Sequence, residues 1–158
     1  MLILTTGGTI DKIYFDAKSE YEIGEPTITH IFQEVGATLP HEIISLMRKD
    51  SLEINDEDRA LIRKNCVECQ ASQILITHGT DTMCETAAAL QDIQGKTIVL
   101  TGALAPARFK ITDAVFNVGT AIGAAQSKPP GVYIAMNGQI FEAGTVRKNR
   151  EAGKFERI

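Results

Sequence analysis

The chain has 158 residues, 44% hydrophobic and 23% charged, a balance that excludes collagen-like, coiled-coil and disordered classes. Sixteen Lys and Arg against 20 Asp and Glu leave a net charge of −4, the wrong sign for a protein that covers a phosphate backbone. The length predicts one domain over 1–158, able to bury roughly 70% of its unfolded surface without a disulfide or metal staple.

Leu2–Thr6 is a short apolar run stopped by Gly7-Gly8, and reads as a buried strand. Ile10–Glu25 is polar and mixed, and is expected to form a loose hairpin or mobile loop. Pro26 then introduces a helix over Thr27–Val35, followed by a strand at Ile43–Met47. The helix over Asp56–Cys69 carries Ala60, Leu61, the stem of Lys64 and Val67 as its apolar stripe. Ile74–Thr77 and Thr97–Leu100 read as strands on either side of a helix at Thr82–Ile93, which has Met83, Ala87 and Leu90 on one stripe. A helix at Asp113–Ala125 presents Val115, Val118, Ala121 and Ile122, and a strand follows at Val132–Met136. Gln139–Glu142 and Thr145–Val146 are shorter strand-like pieces. The charged segment from Arg147 to Ile158 reads as a solvated tail.

Short apolar strands without strict alternation, separated by helices, imply βαβ units with right-handed crossovers. The expected fold is α/β: a doubly wound, mainly parallel sheet with helices on both faces. Three Cys make an odd count and no disulfide framework, so a reducing, cytoplasmic setting is expected. The N-terminus lacks the basic region and long apolar stretch of a signal peptide. No window approaches the roughly 18 apolar residues of a membrane span.

Ligands of open α/β sheets bind beyond the carboxyl ends of the strands. Thr5-Thr6-Gly7-Gly8-Thr9 follows the first strand, and Thr77-His78-Gly79-Thr80-Asp81-Thr82 follows the Ile74 strand. Thr101-Gly102-Ala103 follows the Thr97 strand. Glycine lets backbone approach a ligand, and a threonine hydroxyl can donate, accept or attack. Asp81 suits an ammonium group. Thr82 and Glu85 have the spacing of a capping box. His78 reads as a structural hydrogen-bonding residue, and His30, His41 and His78 lack metal-ligand spacing. Dinucleotide, P-loop and nucleophile-elbow motifs are absent. Cys66-Val67-Glu68-Cys69 falls at a helix C-terminus, where the dipole opposes a thiolate, so a redox role is not expected.

Thr6-Gly7-Gly8-Thr9-Ile10, Tyr21 and Ile76-Thr77-His78-Gly79-Thr80-Asp81-Thr82-Met83, followed by Glu85-Thr86, resemble the bacterial-type L-asparaginase/glutaminase family in order and spacing. Thr101-Gly102-Ala103 and Asp113-Ala114-Val115-Phe116-Asn117 resemble later parts of that family's N-terminal domain. The resemblance implies hydrolysis of a side-chain amide to carboxylate and ammonia, with no metal or cofactor. It implies Thr9 as nucleophile, Tyr21 as its assistant, and Thr80 acting on the amide or the water. Asp81 would bind the substrate ammonium, and Ser51, upstream of Asn55-Asp56, the substrate carboxylate. Loop amides at Gly8 and Gly79 would donate to the ligand. The family's lysine follows a phenylalanine; here Phe155 is followed by Glu156, and Lys154 before it is expected to take the role. The family also has a C-terminal domain without a counterpart in these residues, so the crevice is expected to close by homo-oligomerisation.

Three functions compete on these residues. The first is an asparaginase-type amidohydrolase acting on a small amino-acid-like substrate, without nucleic-acid or membrane partners. The second is a degenerate domain that binds an acidic amino acid without turnover. The third is a nucleotide-binding domain that uses Gly7-Gly8 as a phosphate loop.

Overall fold

The structure is a computed structural model and describes residues 1–15 and 20–158. The chain begins with β1 (Leu2–Gly7), then a hairpin of β2 (Lys12–Phe15) and β3 (Glu20–Ile23), then α1 (Ile28–Glu34) and β4 (Glu42–Lys49). It continues with α2 (Asp56–Glu68), β5 (Gln73–Thr77), α3 (Met83–Ala88), β6 (Thr97–Thr101) and α4 (Ala114–Ser127). It closes with β7 (Gly131–Met136), β8 (Gln139–Glu142) and a hairpin of β9 (Val146–Asn149) and β10 (Lys154–Arg157). The hairpin expected within Ile10–Glu25 is therefore present, although residues 16–19 lie outside the described residues.

The central sheet runs β4-β1-β5-β6-β7-β8. The first five strands in that order are parallel, and β8 is antiparallel to β7. Alternate strand residues point to opposite faces, and both faces are covered, which is why these strands read as continuous apolar runs. Leu4, Ile76, Leu100 and Ile134 pack with Ile62 and Cys66 of α2 and Met83 and Ala87 of α3. Ile3, Leu75, Val99 and Ala135 pack with Ile31 and Phe32 of α1 and Val118 and Ala121 of α4. The expected doubly wound sheet is thus present.

Three expectations need correction. On α2, Leu61 and Val67 are exposed, and Ile62 and Cys66 face the core. Residues four apart share a helix face, whereas Leu61 and Val67 lie about 100° to either side of that pair. The register is fixed by a capping box in which the Asn55 side chain accepts from the Asp58 N–H and Asp58 accepts from the Asn55 N–H. On α4, Val115 is exposed, and the buried residues beside Asn117 and Val118 are small: Ala114, Ala121, Ala124 and Ala125. The charged segment from Arg147 onward is not a solvated tail. It forms β9 and β10, with Val146 and Phe155 buried in the core and the Phe155 N–H donating to Asn137 Oδ1 at 2.8 Å.

Candidate active site

The winding of the parallel strands reverses at β1, because β4 lies on one side of it and β5 on the other. Ligands of such sheets bind at the carboxyl ends beside this reversal. Thr9 follows β1, Ser51 follows β4 and Thr80 follows β5, so the topology brings the expected groups to one rim.

The loops there touch backbone to backbone. Gly8 has φ +86°, and a Cβ on it would stand 2.5 Å from the Gly79 Cα. A Cβ on Gly79 would stand 2.6 Å from the Ser51 Cβ. These glycines thus give the site its shape. Gly8 is not a free donor as expected, because its N–H donates to the Lys49 carbonyl at 2.9 Å. The strand-end threonines staple the sheet: Thr6 Oγ1 donates to the Thr77 carbonyl and Thr101 Oγ1 to the Ala135 carbonyl.

Ser51 is buried, and its Oγ accepts from the Asp81 N–H at 3.2 Å. Its carbonyl accepts from Thr82 Oγ1 at 2.7 Å. The Thr82 hydroxyl therefore ties two site loops together and does not cap α3, where no side-chain cap bond forms. The capping box read from Thr82 and Glu85 is overturned by this competing acceptor.

Asp11 closes the base of the β2–β3 hairpin. Its buried carboxylate accepts from the Thr27 N–H at 2.7 Å, and burial pushes its pKa up to about 6. Tyr21 stands on β3, half exposed, with its ring against Tyr14 and Phe109.

The lysine that meets Thr80 and Asp81 is Lys148. Its Nζ donates to Thr80 Oγ1 at 2.7 Å and to Asp81 Oδ1 at 2.9 Å. Arg150 Nε lies 3.4 Å from the same Asp81 oxygen. Lys154, the expected lysine, is exposed on β10 opposite Asn149, with its charge near Glu156. The signal that could have found Lys148 is strand alternation. Two residues beyond the apolar Val146, it shares the inward face of β9.

His78 is fully buried between two hydrogen bonds, one from Nδ1 to the Gly79 carbonyl at 2.7 Å and one from Thr86 Oγ1 to Nε2 at 2.9 Å. Desolvation pushes its pKa down to about 4, so it is neutral at pH 7 and structural, as expected. Burial pushes the Cys66 thiol up to about 12, the opposite of what thiolate chemistry requires. Among the described residues no cluster of three or more His, Cys, Asp or Glu side chains could hold a metal ion. No helix among them is long and apolar enough to cross a membrane.

The asparaginase N-terminal domain family matches residues 1–154. The chain belongs to the asparaginase family. It is 31% identical to an L-asparaginase of Thermococcus kodakarensis over 161 residues, covering 97% of this chain and 48% of that protein. It is also 31% identical to a glutamyl-tRNA(Gln) amidotransferase component of Methanococcus vannielii, covering 87% of this chain and 34% of that one. The fold superposes on the thermostable L-asparaginase from Thermococcus kodakarensis with TM-score 0.86 and 30% identity, covering 99% of this chain and 50% of that chain. The chain thus spans about half the length of these asparaginases.

Proposed function

We propose that this asparaginase domain hydrolyses the side-chain amide of asparagine or a related small amide, with Thr9 as nucleophile. The observation that carries the reading is the Lys148–Thr80–Asp81 constellation, at the same rim as Gly8-Thr9. A threonine hydroxyl held by a lysine that a carboxylate orients, on a rim shared with a second threonine, supplies the nucleophile and proton-transfer groups that a nucleophilic hydrolase requires.

Thr9 Oγ attacks the amide carbon. Its hydroxyl proton is relayed to the amide nitrogen, ammonia leaves, and an ester remains on Thr9. Water then adds to the ester, guided by Thr80. One water proton returns to Thr9 Oγ, and the carboxylic acid is released. Lys148 holds Thr80 in line for both transfers, and Tyr21 assists Thr9. Ser51 and Asp81 hold the carboxylate and ammonium of an amino-acid-like substrate.

The short Lys148–Thr80 hydrogen bond favours a second assignment, in which Thr80 itself forms the ester. We further propose a homo-oligomer in a reducing cytoplasm, consistent with the free thiols of Cys66, Cys69 and Cys84. Ammonia release from a panel of small amides tests the function, with Thr9→Ala and Thr80→Ala expected to abolish it. Mass spectrometry of the trapped ester assigns it to Thr9 or Thr80. Wild-type protein that releases no ammonia from any amide would end the reading.

A further inference from the structure

We propose that Arg150 sets the substrate class of this site. It favours amides that carry a carboxylate but no free α-ammonium group, such as succinamate or N-acylated asparagine, over free asparagine. The inference rests on the reading above, in which Asp81 is the group that meets the substrate amine.

One oxygen of Asp81 faces two cations, Lys148 Nζ at 2.9 Å and Arg150 Nε at 3.4 Å. The side chains of Lys148 and Asp81 are only 14% and 30% exposed, whereas that of Arg150 is 67% exposed. Lys148 therefore belongs to the interior of the site, and Arg150 approaches the carboxylate from solvent. One carboxylate and two cations sum to +1. Lys49, Lys12 and Arg147 each have a carboxylate partner, Asp58, Asp50 and Glu156 respectively.

An incoming ammonium must share Asp81 with both cations or displace the guanidinium. A ligand without an ammonium avoids that repulsion and keeps the attraction of its carboxylate to the positive site. Guanidinium is also the group best shaped to take a carboxylate through two parallel hydrogen bonds. A unit-charge interaction over a few Å lies between its bulk-water and near-surface limits. The expected discrimination is about tenfold, equivalent to about 1.4 kcal/mol.

Calorimetry tests this without turnover. Wild-type protein should bind succinate and N-acetylaspartate about tenfold more tightly than aspartate. Arg150→Gln should erase the preference, and Arg150→Lys, which keeps the charge, should retain most of it. Arg150 is exposed, so these variants should leave the circular dichroism spectrum unchanged. Equal or tighter binding of aspartate by wild type, or an unchanged ratio in Arg150→Gln, overturns the inference. Ammonia assays separate it from the broader reading. Fastest release from asparagine, unaffected by Arg150→Gln, refutes the specificity and leaves the amidase reading standing. An Arg150-dependent preference for succinate with no ammonia from any amide supports the specificity and refutes the amidase reading.

Discussion

Replacing Lys148 by methionine keeps the length of the side chain and removes its charge. Thr80 Oγ1 then loses its 2.7 Å partner, and Asp81 keeps only the exposed Arg150. The ion pair of Lys148 and Asp81 is neither fully exposed nor fully buried, so its loss should cost about 2 kcal/mol, between the two limits. For a chain of this length that lowers Tm by about 6 °C. Catalysis should suffer more. Loss of a positioned proton-transfer group typically removes about 10²–10⁴ in rate, so kcat for ammonia release should fall by about 10³. Lys154→Met is the control: an exposed lysine that makes neither the Thr80 nor the Asp81 hydrogen bond should change stability by less than about 0.5 kcal/mol and leave kcat alone. The measurements are steady-state ammonia release and thermal melts of both variants. The reasoning fails if Lys154→Met slows ammonia release as Lys148→Met does, or if Lys148→Met stays within threefold of wild type.

Gly8→Ala should destabilise by about 3 kcal/mol, because a side chain is strained at φ +86° and the new methyl meets Gly79 at 2.5 Å. A urea midpoint unchanged from wild type would contradict that packing. His78 and Asp11 make opposite contributions to acid stability. Between pH 6.5 and about 4 the unfolded chain protonates His78 and the fold does not, so stability falls with falling pH, by up to about 3 kcal/mol. Between about 6 and 3.8 the fold holds a proton on Asp11 that the unfolded chain has released, so stability rises with falling pH by a similar amount. The two nearly cancel from pH 6 to 4. Asp11→Asn should uncover the His78 slope, with urea midpoints that drop steadily from pH 6 to 4, and midpoints as flat as wild type would refute the assignment.

The sheet is legible in the sequence because strands covered on both faces must be apolar throughout. Leu2–Gly7, Gln73–Thr77 and Thr97–Thr101 bury almost every residue. That Thr9, Ser51, Thr80 and Asp81 share one rim is legible because each follows a parallel strand of the same sheet. Lys148 is not, because β9 and β10 bury only Val146 and Phe155 among charged neighbours, and hydropathy reads such a segment as solvated. Thr82 escapes a local reading because its hydroxyl has two possible partners. The near one, its own helix, is visible in sequence; the distant one, the Ser51 carbonyl 31 residues away, wins.

Thr80 and the lysine that grips it are separated by 68 positions along the chain. During synthesis, β1 and β5 can pair while β9 is still unmade, and a nascent chain at that stage holds its threonines without their lysine. The Lys148–Thr80–Asp81 cluster is therefore complete only once Phe155 is seated in the core, its N–H bonded to Asn137 Oδ1, and β9 is in place.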